Sequence, residues 1–359
     1  MYDTIAPEII EDLRNDHKAH SENLKTNESR SYKDLYKISK IDPYQEIDPP
    51  KSVLDIANSD GSYSTYGTLG NFSVVTGKAK ARKSFFIAIM VAAAICKNII
   101  MKKFVNHLPE NKSKILYFDT EQGRYHVQLA LKRIFKMGDI KNIENIDMFS
   151  LRSFSVEERL NFIEETIKNT PNLGFVIIDG IRDLLTSIND EEQATKISNL
   201  LLKWTEELNI HIVTVLHQNK SDSNARGHIG TELINKAETV LSVTKPESNS
   251  DISVMEAQQC RNREPQMFAF EIDSEGLPIP AEDFEIRTES KSKPSDLLEM
   301  EDFKKFELLN EVYSHDELFS YSELVIQMKI TLKNRFNKKV GNNRVKELIT
   351  YCKNKNWLE

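Results

Sequence analysis

Short apolar runs of strand length recur from Asn71 onward: Phe72–Val75, Ile115–Phe118, Ile146–Phe149, Phe175–Ile178 and Ile210–Leu216. Between them lie stretches with helical apolar spacing, at Ser84–Met101, Tyr125–Met137, Ser155–Asn169 and Asp190–Leu208. Strand and helix alternating in this way predict an α/β fold with a mostly parallel sheet and crossover helices. The strands read as continuous apolar runs because helices would cover both faces of such a sheet. Beyond Leu233 the texture shifts to strands without long helices, at Thr239–Val243, Ile252–Ala257 and Met267–Ile272, which predicts an antiparallel extension. Three further helical patterns follow, at Phe303–Tyr313, Tyr321–Lys329 and Asn342–Lys353. The first 50 residues carry few apolar anchors (Ile5, Ile9, Ile10, Leu13) and close on Asp48-Pro49-Pro50, a break signal. The expected organisation is a polar arm over 1–50, an α/β domain over 51–286, a linker over 287–300 and a small helical or winged-helix-like domain over 301–359.

Composition narrows the class without naming a chemistry. The chain has 359 residues, and its 48 Lys+Arg against 55 Asp+Glu leave a net charge of −7. Cys96, Cys260 and Cys352 stand far apart with no CxxC, so neither a disulfide framework nor a zinc site is indicated. The polar start argues against a secretory signal, and the apolar stretch from Phe85 to Cys96 is too short to cross a bilayer. A cytoplasmic, reducing setting is the expectation.

Chemistry enters at Gly77-Lys78-Ala79-Lys80-Ala81-Arg82-Lys83-Ser84, which joins a strand to an apolar helix. The spacing is that of G-x-x-x-x-G-K-[ST], with Arg82 standing where the second glycine belongs. Such a loop turns backbone N–H groups toward phosphate at a helix N-terminus, while its lysine reaches outer phosphates and its hydroxyl reaches Mg²⁺. Lys83 and Ser84 fill those last two places. Three strand ends downstream carry polar groups. Asp179 closes Phe175–Ile178 and suits Mg²⁺; Glu121 follows Ile115–Phe118 and suits water activation; Gln218, after His217, suits sensing of a terminal phosphate.

Together GKAKARKS, FDTE, FVIID, VLHQN, ARGHIGTELI and QCRNRE resemble the RecA-like P-loop ATPases, and among them the ring-forming replicative helicases of plasmids, over residues 65–275. The resemblance implies a RecA-like P-loop core that binds ATP with Mg²⁺, holding nucleotide on residues 77–84 and metal on Ser84 and Asp179. It implies Lys83, Glu121 and Gln218 as catalytic groups, with slow turnover because of Arg82. It also implies a homo-oligomer, a hexameric ring, in which Arg261 and Arg263 reach a neighbour's nucleotide. The loop 219–230, with Lys220, Arg226 and His228, would face single-stranded DNA in the ring's channel.

At the C-terminal end, nine Lys or Arg between Lys329 and Lys355 face one acid, Glu347, a local charge of +8. Val345, Leu348, Ile349 and Cys352 share one helical face, which leaves Arg344 and Lys346 outward for duplex DNA. The net charge of −7 therefore averages an acidic body and a basic end. The leading reading is an ATP-driven DNA motor or loader of a mobile element. The alternatives are a nucleotide-controlled switch that binds a protein partner and, less favoured, a small-molecule kinase.

Overall fold

The computed structural model describes residues 31–187, 190–218, 227–246, 249–282, 284, 297, 300–314, 318–336 and 340–358. The chain divides into two compact units, one of residues 1–244 with 256–266, the other of 245–255 with 267–359. In the first unit, helix α1 (Tyr32–Ser39) precedes a small antiparallel sheet in which β1 (Ser52–Ala57) lies between β2 (Tyr63–Thr68) and β4 (Phe104–Asn106). The main sheet is built from β3 (Phe72–Gly77), β5 (Lys114–Asp119), β6 (Ile146–Ser150), β7 (Leu173–Asp179), β8 (His211–His217) and β9 (Thr239–Thr244). Their order is β9-β3-β8-β7-β5-β6, and every pairing among them is parallel. The crossovers run through α2 (Lys83–Ile95), α3 (Arg124–Gly138), α4 (Val156–Asn169) and α5 (Glu191–Leu208), and α6 (Gly227–Lys236) leads into β9. The result is a parallel sheet with crossover helices, the α/β fold read from the sequence.

Helix α2 is buried over Phe86–Ala94, and its mean apolarity leaves no solvent face. A helix apolar all round belongs inside a core, and the run Ala92-Ala93-Ala94 lets it pack closely at its end. It ends at Ile95, six residues before the limit read from the sequence. The Asn106 side-chain amide donates to Ala94 O at 2.8 Å and Cys96 O at 3.2 Å, satisfying carbonyls that would otherwise be orphaned. That cap comes from β4, so no local pattern announces it. Helix α4 is signalled locally: Ser155 and Glu158 form a capping box at its start.

The β1–β2–β4 sheet was not among the expected elements. Its strands, SVLDIA and YSTYGT, mix polar residues into short runs, and β1 finds β4 some 50 residues away. Their polar groups are satisfied at long range; the Ser64 hydroxyl donates to Glu264 O, for example.

In the second unit the Ile252–Met255 part of β10 (Ile252–Cys260) pairs antiparallel with β11 (Phe268–Ile272), which pairs antiparallel with β12 (Pro278–Pro280). Three helices follow: α7 (Asp302–Val312), α8 (Tyr321–Phe336) and α9 (Asn342–Asn354). They enclose a core that includes Leu308, Val325, Met328, Val345, Leu348 and Cys352. The helical part of the expectation is present; among the described residues no strand accompanies these helices to make a wing. The apolar anchors Ile5–Leu13 of the expected arm and most of the linker 287–300 lie outside the described residues. Among the described residues no helix is long and apolar enough to cross a membrane.

Candidate functional site

Parallel strands place all their carboxyl ends on one edge of a sheet, and that edge is where ligands bind in α/β folds. Here the adjacent strands β3, β8, β7 and β5 deliver Gly77, His217, Asp179 and Asp119 to it. Asp119 and Asp179 are direct register partners across β5 and β7.

The loop after β3 is shaped by its backbone. Gly77 has φ +156°, and a Cβ there would come within 2.3 Å of Val243 O, so no larger residue fits without moving β9. Lys80 (φ 63°) and Arg82 (φ 71°) are left-handed, while Ala81 between them is not. Backbone that alternates hands is the kind that turns N–H groups toward an anion, although the Ala81 N–H donates to Lys78 O at 3.2 Å here. Arg82 is the N-cap of α2 with ψ 32°. It adopts the conformation a glycine would take there, at a cost of about 1–2 kcal/mol for an L-residue.

Lys83 is buried, and its ammonium donates to Gly77 O at 2.9 Å, Lys78 O at 3.1 Å and His217 Nδ1 at 3.1 Å. Burial holds its proton affinity below that of an ordinary lysine, opposed by Asp179 and Glu121. Ser84 Oγ donates to Asp179 Oδ2 at 3.0 Å, and the Tyr117 hydroxyl donates to the same oxygen at 2.8 Å. Burial pushes Asp179 above the usual carboxylate range despite these donors. Asp119 accepts from the Glu121 and Gln122 N–H groups and from Gln122 Nε2. Its pKa rises to about 6, through burial first and the Asp179 charge second.

Burial disfavours the charge on both of these adjacent acids, a cost that a bound cation would relieve. Ser84 and Asp179 present hard oxygens there. Among the described residues no cluster of three or more His, Cys, Asp or Glu could hold a metal by itself. Few protein oxygens, with phosphate and water completing the shell, is the Mg²⁺ pattern, so the residues fit that ion.

Glu121 follows β5 and accepts from His217 Nε2 at 3.1 Å. That hydrogen bond, first among its neighbours, holds Glu121 below the ordinary glutamate range. Gln218 donates its backbone N–H to Gly77 O at 3.1 Å. Its side chain is buried and its Nε2 finds no acceptor among the described residues, leaving a donor beside the phosphate loop. Glu121 and His217 line a cavity of about 510 Å³ together with Arg152, Arg159, Arg182 and Asp183. Arg159 binds three carbonyls, Leu151 O, Arg152 O and Asp183 O, and so ties the ends of β6 and β7 together.

The sites read from the sequence therefore separate. Residues 77–84, Glu121, Asp179, His217 and Gln218 converge on one strand edge. Arg261 and Arg263 do not join them: the Arg261 N–H donates to Glu238 O, at the start of β9, and its Nη2 donates to Lys236 O. Arg263 pairs with Asp60 at 2.8 Å and bonds Ser62. Hydrogen bonds from Ser62 first and Arg263 second hold the Asp60 carboxyl well below its usual range. Arg261 thus lies at the amino ends of β3 and β9, and Arg263 at the turn between β1 and β2; the six residues of β3 span about 17 Å. His228 is exposed in α6, and Arg344 and Lys346 are exposed on α9; Lys220 and Arg226 lie outside the described residues. Asp119 and Tyr117 are site residues that the sequence motifs do not single out. Asp119 was legible as a second strand-end acid within FDTE, whereas Tyr117 sits inside an apolar run with nothing to single it out.

Residues 64–223 match the sequence model of the AAA domain family. No curated protein matches the chain. Among solved structures it is similar to an ATPase domain (16% identity, 60% of this chain and 86% of that one, TM-score 0.45). It is also similar to a KaiC-like protein of Pyrococcus horikoshii OT3 (18%, 62% and 93%, 0.43) and to the RadB recombinase (14%, 58% and 90%, 0.40).

Proposed function

We propose that this RecA-like P-loop ATPase domain hydrolyses ATP with Mg²⁺ to drive a ring-forming motor or loader that acts on DNA. The observation that carries the reading is the convergence of Lys83, Ser84–Asp179 and Glu121 on the carboxyl ends of adjacent strands, around a loop of left-handed backbone. The loop N–H groups and Lys83 would take the outer phosphates of ATP, and the Gln218 amide would meet the terminal phosphoryl group. Mg²⁺, held through Ser84 and Asp179, would neutralise charge on the phosphate oxygens. Glu121 accepts a proton from water as the water oxygen bonds to the γ-phosphorus, and the bond to the β,γ-bridging oxygen breaks with its electron pair leaving on ADP.

Arg261 and Arg263 cannot reach this centre in their own chain, so a role in phosphoryl transfer requires a neighbouring copy to supply them. A closed ring is the arrangement in which every copy both gives and receives such a pair. DNA contact falls to residues 219–230, which follow the Gln218 strand end directly, and to the outward basic face of α9.

The test is ATP turnover of the full chain with and without single-stranded DNA across a salt series, beside Glu121→Gln. DNA stimulation that falls steeply with salt supports the motor, because phosphate contacts release counterions. Turnover indifferent to DNA and salt points to the nucleotide-controlled switch. Equal background in wild type and Glu121→Gln removes the ATPase reading.

A further inference from the structure

Lys83, His217 and Glu121 form a continuous chain whose proton positions follow from the chemistry of its ends. An ammonium has only donors, so the 3.1 Å contact between Lys83 Nζ and His217 Nδ1 makes Nδ1 the acceptor. The ring proton then sits on Nε2, which faces Glu121 Oε1 at 3.1 Å and Oε2 at 3.4 Å, and a carboxylate accepts it. The ring is thus a neutral bridge between a cation and an anion, polarised the same way at both ends. Lys83 has three N–H donors and three partners, Gly77 O, Lys78 O and His217 Nδ1, so it is saturated. An incoming phosphate oxygen must displace one of these.

The three are not equally replaceable. Gly77 O and Lys78 O belong to the loop backbone, and Gly77 O also accepts the Gln218 N–H at 3.1 Å. His217 is the partner on a side chain that is 39% exposed, and Glu121 beyond it is 42% exposed. The imidazole is the contact that can yield without moving a strand.

We infer that His217 is a positioning residue that clamps Glu121 while no nucleotide is bound and releases it when a terminal phosphate takes Lys83 from the imidazole. In the clamped state one lone pair of the carboxylate is engaged and the base is weak. When Lys83 turns to phosphate, Nδ1 loses its donor, the ring is free to rotate, and Glu121 is returned to the water it must deprotonate. Phosphate binding at one strand end thereby arms the base at another. The inference rests on the ATPase reading and adds its regulation. It differs from direct sensing, in which His217 itself would touch the phosphate.

The sign of one measurement separates the two. The full-length His217→Ala variant is titrated with the non-hydrolysable β,γ-imido analogue of ATP and Mg²⁺. Under the clamp Lys83 gives up one partner fewer, and affinity tightens roughly three- to tenfold. His217→Asn, whose amide oxygen takes the place of Nδ1, returns affinity toward wild type. Glu121→Ala and His217→Ala should also be non-additive for analogue binding, since the glutamate acts on Lys83 through the ring. Weaker or unchanged binding by His217→Ala, or strict additivity, overturns the clamp. Failure of the wild-type chain to bind the analogue at all overturns instead the ATPase reading on which it rests.

Discussion

Arg82 offers the sharpest physical test of the phosphate loop, because it holds a conformation its side chain disfavours. With φ 71° and ψ 32° it occupies the left-handed region, which costs an L-residue about 1–2 kcal/mol and costs glycine nothing. Glycine in turn loses about 0.5–1 kcal/mol more conformational freedom on folding. Replacing Arg82 by glycine also deletes the guanidinium contacts, so the informative comparison is between Arg82→Gly and Arg82→Ala, which both lack them. The balance of the two backbone effects leaves the glycine variant about 0.5–1 kcal/mol more stable than the alanine variant. At ordinary sites the order is reversed, alanine being the stabler residue. Paired urea titrations of the two full-length variants, followed by tryptophan fluorescence (Trp204 is buried in the first unit), measure the difference. An alanine variant equal to or more stable than the glycine variant would falsify the left-handed N-cap. The same pair tests chemistry: if strain at residue 82 slows turnover, Arg82→Gly raises kcat and Arg82→Ala does not.

Three other outcomes follow from the geometry. Gly77→Ala places a methyl 2.3 Å from Val243 O, so it should destabilise the first unit by about 1–3 kcal/mol and abolish nucleotide-induced thermal stabilisation. Asp119 has its folded pKa raised to about 6, so its contribution to stability is lost as pH rises from about 4 through about 6. Asp119→Asn, which keeps an acceptor for the two N–H groups, should match wild type near pH 4 and exceed it by about 1–3 kcal/mol at pH 7.5; equal pH profiles would refute the burial argument. Finally, Arg261→Glu with Arg263→Glu should lose turnover but keep nucleotide binding, and mixing it with Glu121→Gln should restore part of the turnover. No restoration, or loss of binding itself, would count against action in trans.

The division between what was legible in the sequence and what was not follows the range of the forces involved. The strands β3, β5, β7 and β8 announce themselves because burial on both faces demands unbroken apolar runs, and the polar residue ending each run marks the ligand edge. Convergence of Lys83, Ser84, Glu121, Asp179 and Gln218 is the geometric consequence of parallel order, and only the order β3-β8-β7-β5 had to come from the structure. The β1–β2–β4 sheet and the early end of α2 escaped because both depend on partners far along the chain, such as Asn106 capping α2. Tyr117 escaped for another reason: its ring belongs to the core and its hydroxyl to the site, and an apolar run conceals the second role. The two late arginines show the limit most plainly. The resemblance implies that they reach a neighbour's nucleotide, and no pattern in the sequence announces their partners within the chain: Asp60 and Ser62 for Arg263 and the Lys236 carbonyl for Arg261. Breaking the exposed Arg263–Asp60 pair costs little, because water solvates both charges once they part. The Arg263 side chain is thus held loosely, as the proposed exchange of Asp60 for a neighbour's phosphate requires.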